Sequence, residues 1–149
     1  MADEASIRGS LQIRKADGVL SVIDYRSPGP SGFNDTVVGT KGPSPGALTI
    51  PAGGKVVSLE ELSTPGWCVI KNMDGDTVVE YGIKVPSGVY YPWGEVPPGM
   101  ASPPFKFSRN FREGFTNTGT GTSAAVNQLF MKPIGGLTDV NVSVEAFEA

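Results

Sequence analysis

The fold class is indicated most clearly by the stretch Thr64-Pro-Gly-Trp-Cys-Val-Ile-Lys-Asn-Met-Asp-Gly-Asp76, which leads into Val78-Val-Glu-Tyr-Gly-Ile83. Two apolar, strand-favouring runs flank a short segment of Asn, Asp and Gly, and these residues favour tight turns. The pattern therefore predicts a β-hairpin, with one strand over residues 66–71 and the other over 77–85.

The composition also favours many short strands. The chain has 149 residues, of which 39% are hydrophobic and 18% charged, while 20 are Gly and 13 are Pro. Gly and Pro interrupt helices and strands and set turns, and here they are spread along the whole chain. Because this length is enough for one hydrophobic core, we predict a single all-β domain over residues 1–149.

Alternating apolar and polar residues predict strands near both ends of the chain. Residues 6–14 and 19–25 alternate around a Lys-Ala-Asp-Gly turn, which predicts an N-terminal hairpin. Residues 140–146 alternate strictly, and this pattern places the last strand within a sheet. The acidic residues 1–5 precede the first alternating run, and we expect a flexible N-terminal arm there.

Pro- and Gly-rich segments divide the middle of the chain, and we expect loops at 26–32, 41–46 and 95–104. Further short strands are expected at 36–40, 47–51, 55–59, 89–93, 105–111 and 124–132. Pro92 cannot donate a backbone hydrogen bond, so the aromatic strand 89–93 is expected at a sheet edge. About nine or ten short strands joined by such loops predict an antiparallel β-sandwich.

The charge distribution argues against nucleic-acid binding, because the net charge is −3, the pI is about 4.9 and the 12 basic residues are scattered. The densest basic group alternates with aromatic residues: Phe105, Lys106, Phe107, Arg109, Phe111 and Arg112. Such a stretch can stack on bases and pair with phosphates. Alternatively its Phe rings are buried and its Arg side chains solvated, and the acidic balance favours this second interpretation.

The sequence offers little for catalysis or for holding a cofactor. Cys68 is the single cysteine, and the chain has no histidine to act as its base. We therefore predict that Cys68 is buried as a small apolar residue. The acidic residues are scattered without an evident pair, so we do not expect an enzyme.

Two polar segments have a composition found in ligand-binding loops. Residues 72–76 offer Asn and Asp oxygens that suit Ca²⁺, but they lack the other positions of an EF-hand loop. Residues 118–122 alternate Thr and Gly, without the Lys, the preceding strand or the following helix of a P-loop. We predict a turn at the first segment and a solvated loop at the second, and we expect neither a metal nor a cofactor.

Membrane insertion and secretion are not expected from the sequence. The N-terminal residues are acidic and no hydrophobic segment follows them, so we predict no signal peptide. No apolar run in the chain has the length that crosses a bilayer.

Large aromatic residues are concentrated in the middle of the chain, where Trp67, Tyr81, Tyr90, Tyr91 and Trp93 lie within 27 residues of one another. Exposed rings on a β-sandwich can stack on sugars, as in a carbohydrate-binding module. They can also fill the core or a contact with another subunit, which we favour. Tyr90, Tyr91 and Trp93 are therefore candidate partner-contact residues.

Three segments together resemble a known group of proteins: Ser10-Leu-Gln-Ile-Arg-Lys-Ala-Asp-Gly-Val-Leu-Ser21, then Val57 to Asn72 continuing to Val79-Glu-Tyr-Gly-Ile83, then Gly88-Val-Tyr-Tyr-Pro-Trp93. Their order and spacing are similar to those of small all-β virion structural proteins of tailed bacteriophages, of the capsid decoration (cement) type. The resemblance covers about residues 6–100. The segment 105–122 is longer and more polar than in that group, which makes Phe105, Arg109, Phe111 and Arg112 a candidate partner-contact loop.

The resemblance implies a jelly-roll-like sandwich that binds and stabilises a capsid and has no catalytic residues. Its expected partners are the major capsid protein and copies of itself, as a homotrimer, because capsid lattices have local threefold symmetry. The expected location is the capsid surface of the virion, after synthesis in the host cytoplasm. The alternative is a tail or fibre component with a carbohydrate-binding β-sandwich.

Overall fold

A computed structural model describes residues 3–7, 10–14, 20–24, 33–37, 41–62, 64–85, 87–108, 128–135 and 138–148. The chain divides into two compact units, residues 1–38 and residues 39–149. The single domain expected over 1–149 stays a prediction. Among the described residues there is no helix, and thus none of the length and hydrophobicity that crosses a membrane.

The described residues of the first unit form four strands, which are β1 (Asp3–Ile7), β2 (Ser10–Arg14), β3 (Leu20–Asp24) and β4 (Phe33–Val37). Strands β2 and β3 pair antiparallel, as the predicted N-terminal hairpin requires, but residues 6 and 7 of its predicted first strand belong to β1. Strand β1 pairs antiparallel with β4, with Asp3 opposite Val37. Residues 3–5, expected in a flexible arm, therefore belong to a strand.

In the second unit, the part of the chain that the structure describes forms eight strands, which are β5 (Ser44–Ile50), β6 (Lys55–Val57), β7 (Pro65–Asn72), β8 (Val79–Lys84), β9 (Tyr90–Val96), β10 (Phe105–Lys106), β11 (Gln128–Pro133) and β12 (Val140–Glu148). They form two four-stranded antiparallel sheets. The first sheet has the order β10-β7-β12-β5, and the second has the order β6-β11-β8-β9. The prediction of an all-β, antiparallel fold is confirmed at this level.

The hairpin predicted between residues 66–71 and 77–85 is wrong, although both strands exist. Strand β7 lies between β10 and β12 in the first sheet, whereas β8 lies between β11 and β9 in the second. The connection at 73–78 therefore passes from one sheet to the other. The same Asn, Asp and Gly residues suit either connection, and the pairing of β7 with β12 and of β8 with β11 places the two strands in different sheets.

One hydrophobic core receives side chains from both sheets. The first sheet contributes alternate residues of β7 and β12, and the second contributes alternate residues of β8 and β11. The predicted alternation at the C-terminus is confirmed, because Val140, Val142, Val144 and Ala146 are all buried and β12 occupies a central position. Each fully buried Val or Leu of such a core contributes on the order of 1.5–3 kcal/mol of burial free energy.

A buried amide joins the two sheets at one end of this unit. Asn72 is 2% exposed, and its Nδ2 donates to the carbonyl oxygens of Thr77, at 2.7 Å, and Val96, at 2.9 Å. Its Oδ1 accepts a hydrogen bond from the Asp74 amide at 3.0 Å. The side chain of a residue in β7 is therefore hydrogen-bonded to the last residue of β9, in the other sheet.

The connection at 73–78 is shaped by Asp74. Its Oδ1 accepts hydrogen bonds from the backbone amides of Asp76 and Thr77, each at 3.1 Å. These bonds, with that from Asp76 the largest contribution, lower the pKa of the Asp74 carboxyl below its ordinary value. Side-chain oxygens of Asn72 and Asp74 thus accept backbone amides of the same segment, as in an Asx turn, but the segment connects two sheets and is not the hairpin turn that the sequence predicts.

The Pro- and Gly-rich segment 95–104 is more ordered than the predicted surface loop. Its first two residues belong to β9, and the Met100 carbonyl accepts a hydrogen bond from the Asn72 amide at 2.8 Å. Ser102 is buried and its amide donates to the Ile70 carbonyl at 2.7 Å, while its Oγ accepts from the Ile70 amide at 3.0 Å. Residues 100–102 thus cover the edge of β7 beyond the end of β10. The sequence does not reveal this pairing, because prolines lie on both sides of the segment and favour a loop. The residues between those prolines still have backbone amides that can donate hydrogen bonds.

Replacing Asn72 with Asp tests the junction between the sheets. In Asn72→Asp a carboxylate oxygen faces two carbonyl oxygens, so we expect about 3–5 kcal/mol less unfolding free energy at pH 7. Burial raises the pKa of the introduced carboxyl in the folded state, and the folded state then binds more protons than the unfolded state. The difference in unfolding free energy between the wild type and Asn72→Asp should therefore become smaller as the pH falls through that pKa.

Urea denaturation at pH 7 and pH 4 measures both effects. The matched control is Asn141→Asp, because Asn141 is exposed and its Oδ1 already accepts a hydrogen bond from Thr49. We expect a change within about 0.5 kcal/mol for this control. Equal losses in the two variants, or a deficit that grows at pH 4, would contradict the assigned role of Asn72.

Candidate functional site

Strand β9 is an edge strand, as Pro92 predicts. Among the described strands it pairs with β8 alone. The register shifts within this pair, because Tyr81 lies opposite Gly94 whereas the next residue, Gly82, lies opposite Pro92. Trp93 is the extra residue of this β-bulge. A proline and a bulge both hinder the pairing of a further strand with an edge.

Four aromatic rings pack together where the second sheet approaches β10 of the first sheet, and they belong to Tyr81, Trp93, Phe105 and Phe107. The Tyr81 and Phe105 rings are stacked, with centroids 5.6 Å apart. The Trp93 ring meets both of them edge to face, at 5.9 Å from Tyr81 and 5.5 Å from Phe105. Phe107 completes the group at 5.4 Å from Phe105. Aromatic pairs prefer such stacked and edge-to-face arrangements, so the cluster holds Trp93 in a defined orientation.

Part of this cluster is open to solvent. Trp93 is 49% exposed and Phe105 is half-buried, while Tyr91, which is not one of the four rings but lies nearby on β9, is 58% exposed. Tyr91 lies opposite Ile83 in the register of β8 and β9, two residues before Trp93. We call the surface formed by Tyr91, Trp93 and Phe105 the aromatic edge. The structure brings together Trp93 and Phe105, which the sequence placed in two separate candidate groups.

Tyr90 lies on the other face of the second sheet. It is opposite Lys84, and successive residues of a strand point to opposite faces. Its ring centroid is 4.8 Å from that of Phe130, and the Lys84 Nζ lies 5.1 Å from the Phe130 centroid. The three candidate aromatics at 90, 91 and 93 therefore do not share one surface.

The Tyr90 hydroxyl is buried and forms no hydrogen bond of good geometry with another described residue. Burial raises the pKa of Tyr90 above its ordinary value, and the negative charge of Glu80 raises it further. The tyrosine therefore stays neutral and packs against Phe130 as an aromatic side chain.

The absence of a side chain at Gly94 permits the packing of Tyr81. A Cβ atom at position 94 would lie 2.5 Å from the Tyr81 Cζ, well inside van der Waals contact. Sequence reasoning missed this glycine and the role of Tyr81 in supporting Trp93. A glycine within a strand marks the close approach of another group, and that signal was present at position 94.

The predicted partner-contact loop is described only at its start. Phe105 belongs to β10, opposite Cys68, while Arg109, Phe111 and Arg112 lie outside the described residues. The neighbouring Lys106 lies opposite Trp67, and its Nζ is 5.9 Å from the centroid of that ring. The basic side chain thus lies at the outer face of the first sheet, where a cation and an aromatic ring attract each other.

Cys68 is buried, as the sequence predicts. It is 1% exposed, and burial raises the pKa of its thiol to about 12, with the negative charge of Glu145 adding to the effect. A thiol with this pKa stays protonated near neutral pH and is a poor nucleophile. Within the part of the chain that the structure describes, no group of three or more His, Cys, Asp or Glu side chains is arranged to hold a metal ion.

Comparisons of this chain with protein-family models, with curated proteins and with solved structures found no match. The candidate site is therefore defined by its own geometry, which is a half-exposed aromatic surface on a protected sheet edge.

Replacing Gly94 with Ala tests whether the aromatic edge depends on the packing of Tyr81. The new methyl group would displace the ring, which is 8% exposed and held by two other rings, so we expect about 1–3 kcal/mol of destabilisation. Near-ultraviolet circular dichroism should show altered aromatic packing. The control is Gly75→Ala, because no atom lies within 4 Å of a Cβ there and Gly75 does not have a positive φ. Equal effects of the two variants would contradict the proposed packing.

The Cys68 thiol should be unreactive in the folded protein. At pH 8 a pKa of about 12 leaves a thiolate fraction of roughly 10⁻⁴, so iodoacetamide labelling followed by mass spectrometry should be negligible until guanidinium unfolds the chain. Because the folded pKa is raised, unfolding free energy is retained below pH 9 and falls as the pH rises from 9 towards 12. Cys68→Ala should remove this part of the pH dependence. Rapid labelling under native conditions would contradict the burial of Cys68.

Proposed function

We propose that this chain is a non-enzymatic structural protein of a tailed-phage virion, which decorates the capsid and binds the capsid lattice through its aromatic edge. The resemblance of residues 6–100 to small virion proteins gives the class of partner. The single observation that carries the mode of binding is the half-exposed pair Tyr91 and Trp93 on a sheet edge protected by Pro92 and a bulge.

The strand order supports a jelly-roll sandwich for the second unit. When β5 to β12 are numbered one to eight, the first sheet has the order 1-8-3-6 and the second has the order 2-7-4-5. An eight-stranded jelly roll has this order, in which every connection except that from strand 4 to strand 5 passes between the two sheets. Both sheets also contribute to one hydrophobic core. Such a fold is rigid and suits a protein that reinforces a shell.

The geometry of the aromatic edge favours docking by side chains over the addition of a strand. Pro92 lacks an amide hydrogen and the bulge at Trp93 breaks the register, so a partner strand finds no regular backbone ladder on β9. Trp and Tyr are enriched among the residues that dominate protein interfaces. The contacts of Trp93 with Tyr81 and Phe105 fix its ring before binding, which reduces the entropy lost on association.

The absence of histidine from the sequence and the raised pKa of Cys68 support a non-enzymatic role. Nucleophilic catalysis by cysteine requires a thiolate and usually a neighbouring base. Here the thiol is buried and protonated, and histidine, the commonest base, does not occur in the chain.

A binding assay with capsids tests the proposed function. The purified full chain is mixed with expanded capsids assembled from the major capsid protein of the same phage genome, and bound protein is measured by sedimentation. We expect saturable binding and a higher temperature or chelator concentration for capsid disruption. The proposal fails if the chain neither binds these capsids nor protects them.

Two substitutions test the aromatic edge within this assay. Tyr91→Ala and Trp93→Ala should each weaken capsid binding about 30-fold, the loss of about 2 kcal/mol that is typical of interface hot spots. The matched control is Val89→Ala, since Val89 is an exposed apolar residue that precedes β9. Thermal denaturation of each variant separates lost binding from lost folding. Capsid binding that survives both substitutions in folded protein would assign the contact to another surface.

Carbohydrate binding by a tail or fibre component is the second candidate function, and the exposure of Tyr91 and Trp93 favours it. Aromatic faces can stack on the apolar face of a sugar ring, with few polar groups needed for orientation. A screen of host polysaccharides should then give binding that is lost in Tyr91→Ala and Trp93→Ala. Glycan binding without capsid binding would favour this candidate over capsid decoration.

A further inference from the structure

We draw no further inference here: the strongest candidate, the outer edge of β5 from Ala47 to Ile50, carries no charged residue and pairs among the described strands with β12 alone, but it is only a short run after Pro45 and the positive-φ Gly46, and nothing in the structure shows what covers it.

Discussion

The hydrogen bonds of the Asn72 side chain are the interaction on which the arrangement of the second unit depends. One amide group donates to the carbonyl oxygens of Thr77, in the connection before β8, and of Val96, at the end of β9, and its oxygen accepts a hydrogen bond from the Asp74 amide. Each bond contributes only about 1 kcal/mol net, but leaving a buried carbonyl without a partner costs about 1–3 kcal/mol. The amide therefore favours one crossing geometry over alternatives in which these groups lose their partners.

This crossing has a direct consequence for the aromatic edge. Because β7 and β8 lie in different sheets, β9, which pairs with β8, forms an edge of the second sheet, while β10, which pairs with β7, forms an edge of the first. The stacked rings of Tyr81 and Phe105 then connect the two sheets at this position. Trp93 packs against both rings and remains half exposed, so its orientation follows from the same topology.

The sequence predicts local features of this fold well and long-range pairing poorly. Period-two alternation identifies the buried residues of β12, and the proline in β9 identifies an edge strand. The segment 73–78 is compatible with a hairpin and with a crossing between sheets, because the hydrogen bonds within the segment can form in either case. Which of the two connections forms depends on pairing with β11 and β12, which are about 50–70 residues away in sequence. The entropy cost of closing such long loops changes little with their length, so it does not select between the two connections. Period-two alternation also predicts that Tyr90 and Tyr91 lie on opposite faces of the sheet. It cannot predict the contact between Trp93 and Phe105, because these residues belong to strands of different sheets.

The bulge that hinders the pairing of a further strand with β9 also places an aromatic residue, Trp93, at this edge. An exposed edge with a regular ladder invites pairing with any extended chain, and Pro92 and the bulge hinder this. The same bulge adds Trp93 as an extra residue, and its ring packs onto Tyr81 and Phe105 and stays partly exposed. Under the proposed function, specificity would depend on the shape of this aromatic surface, because the edge of β9 offers a partner strand no regular backbone ladder. A surface of this kind discriminates by complementarity of packing, which strand addition alone does not provide.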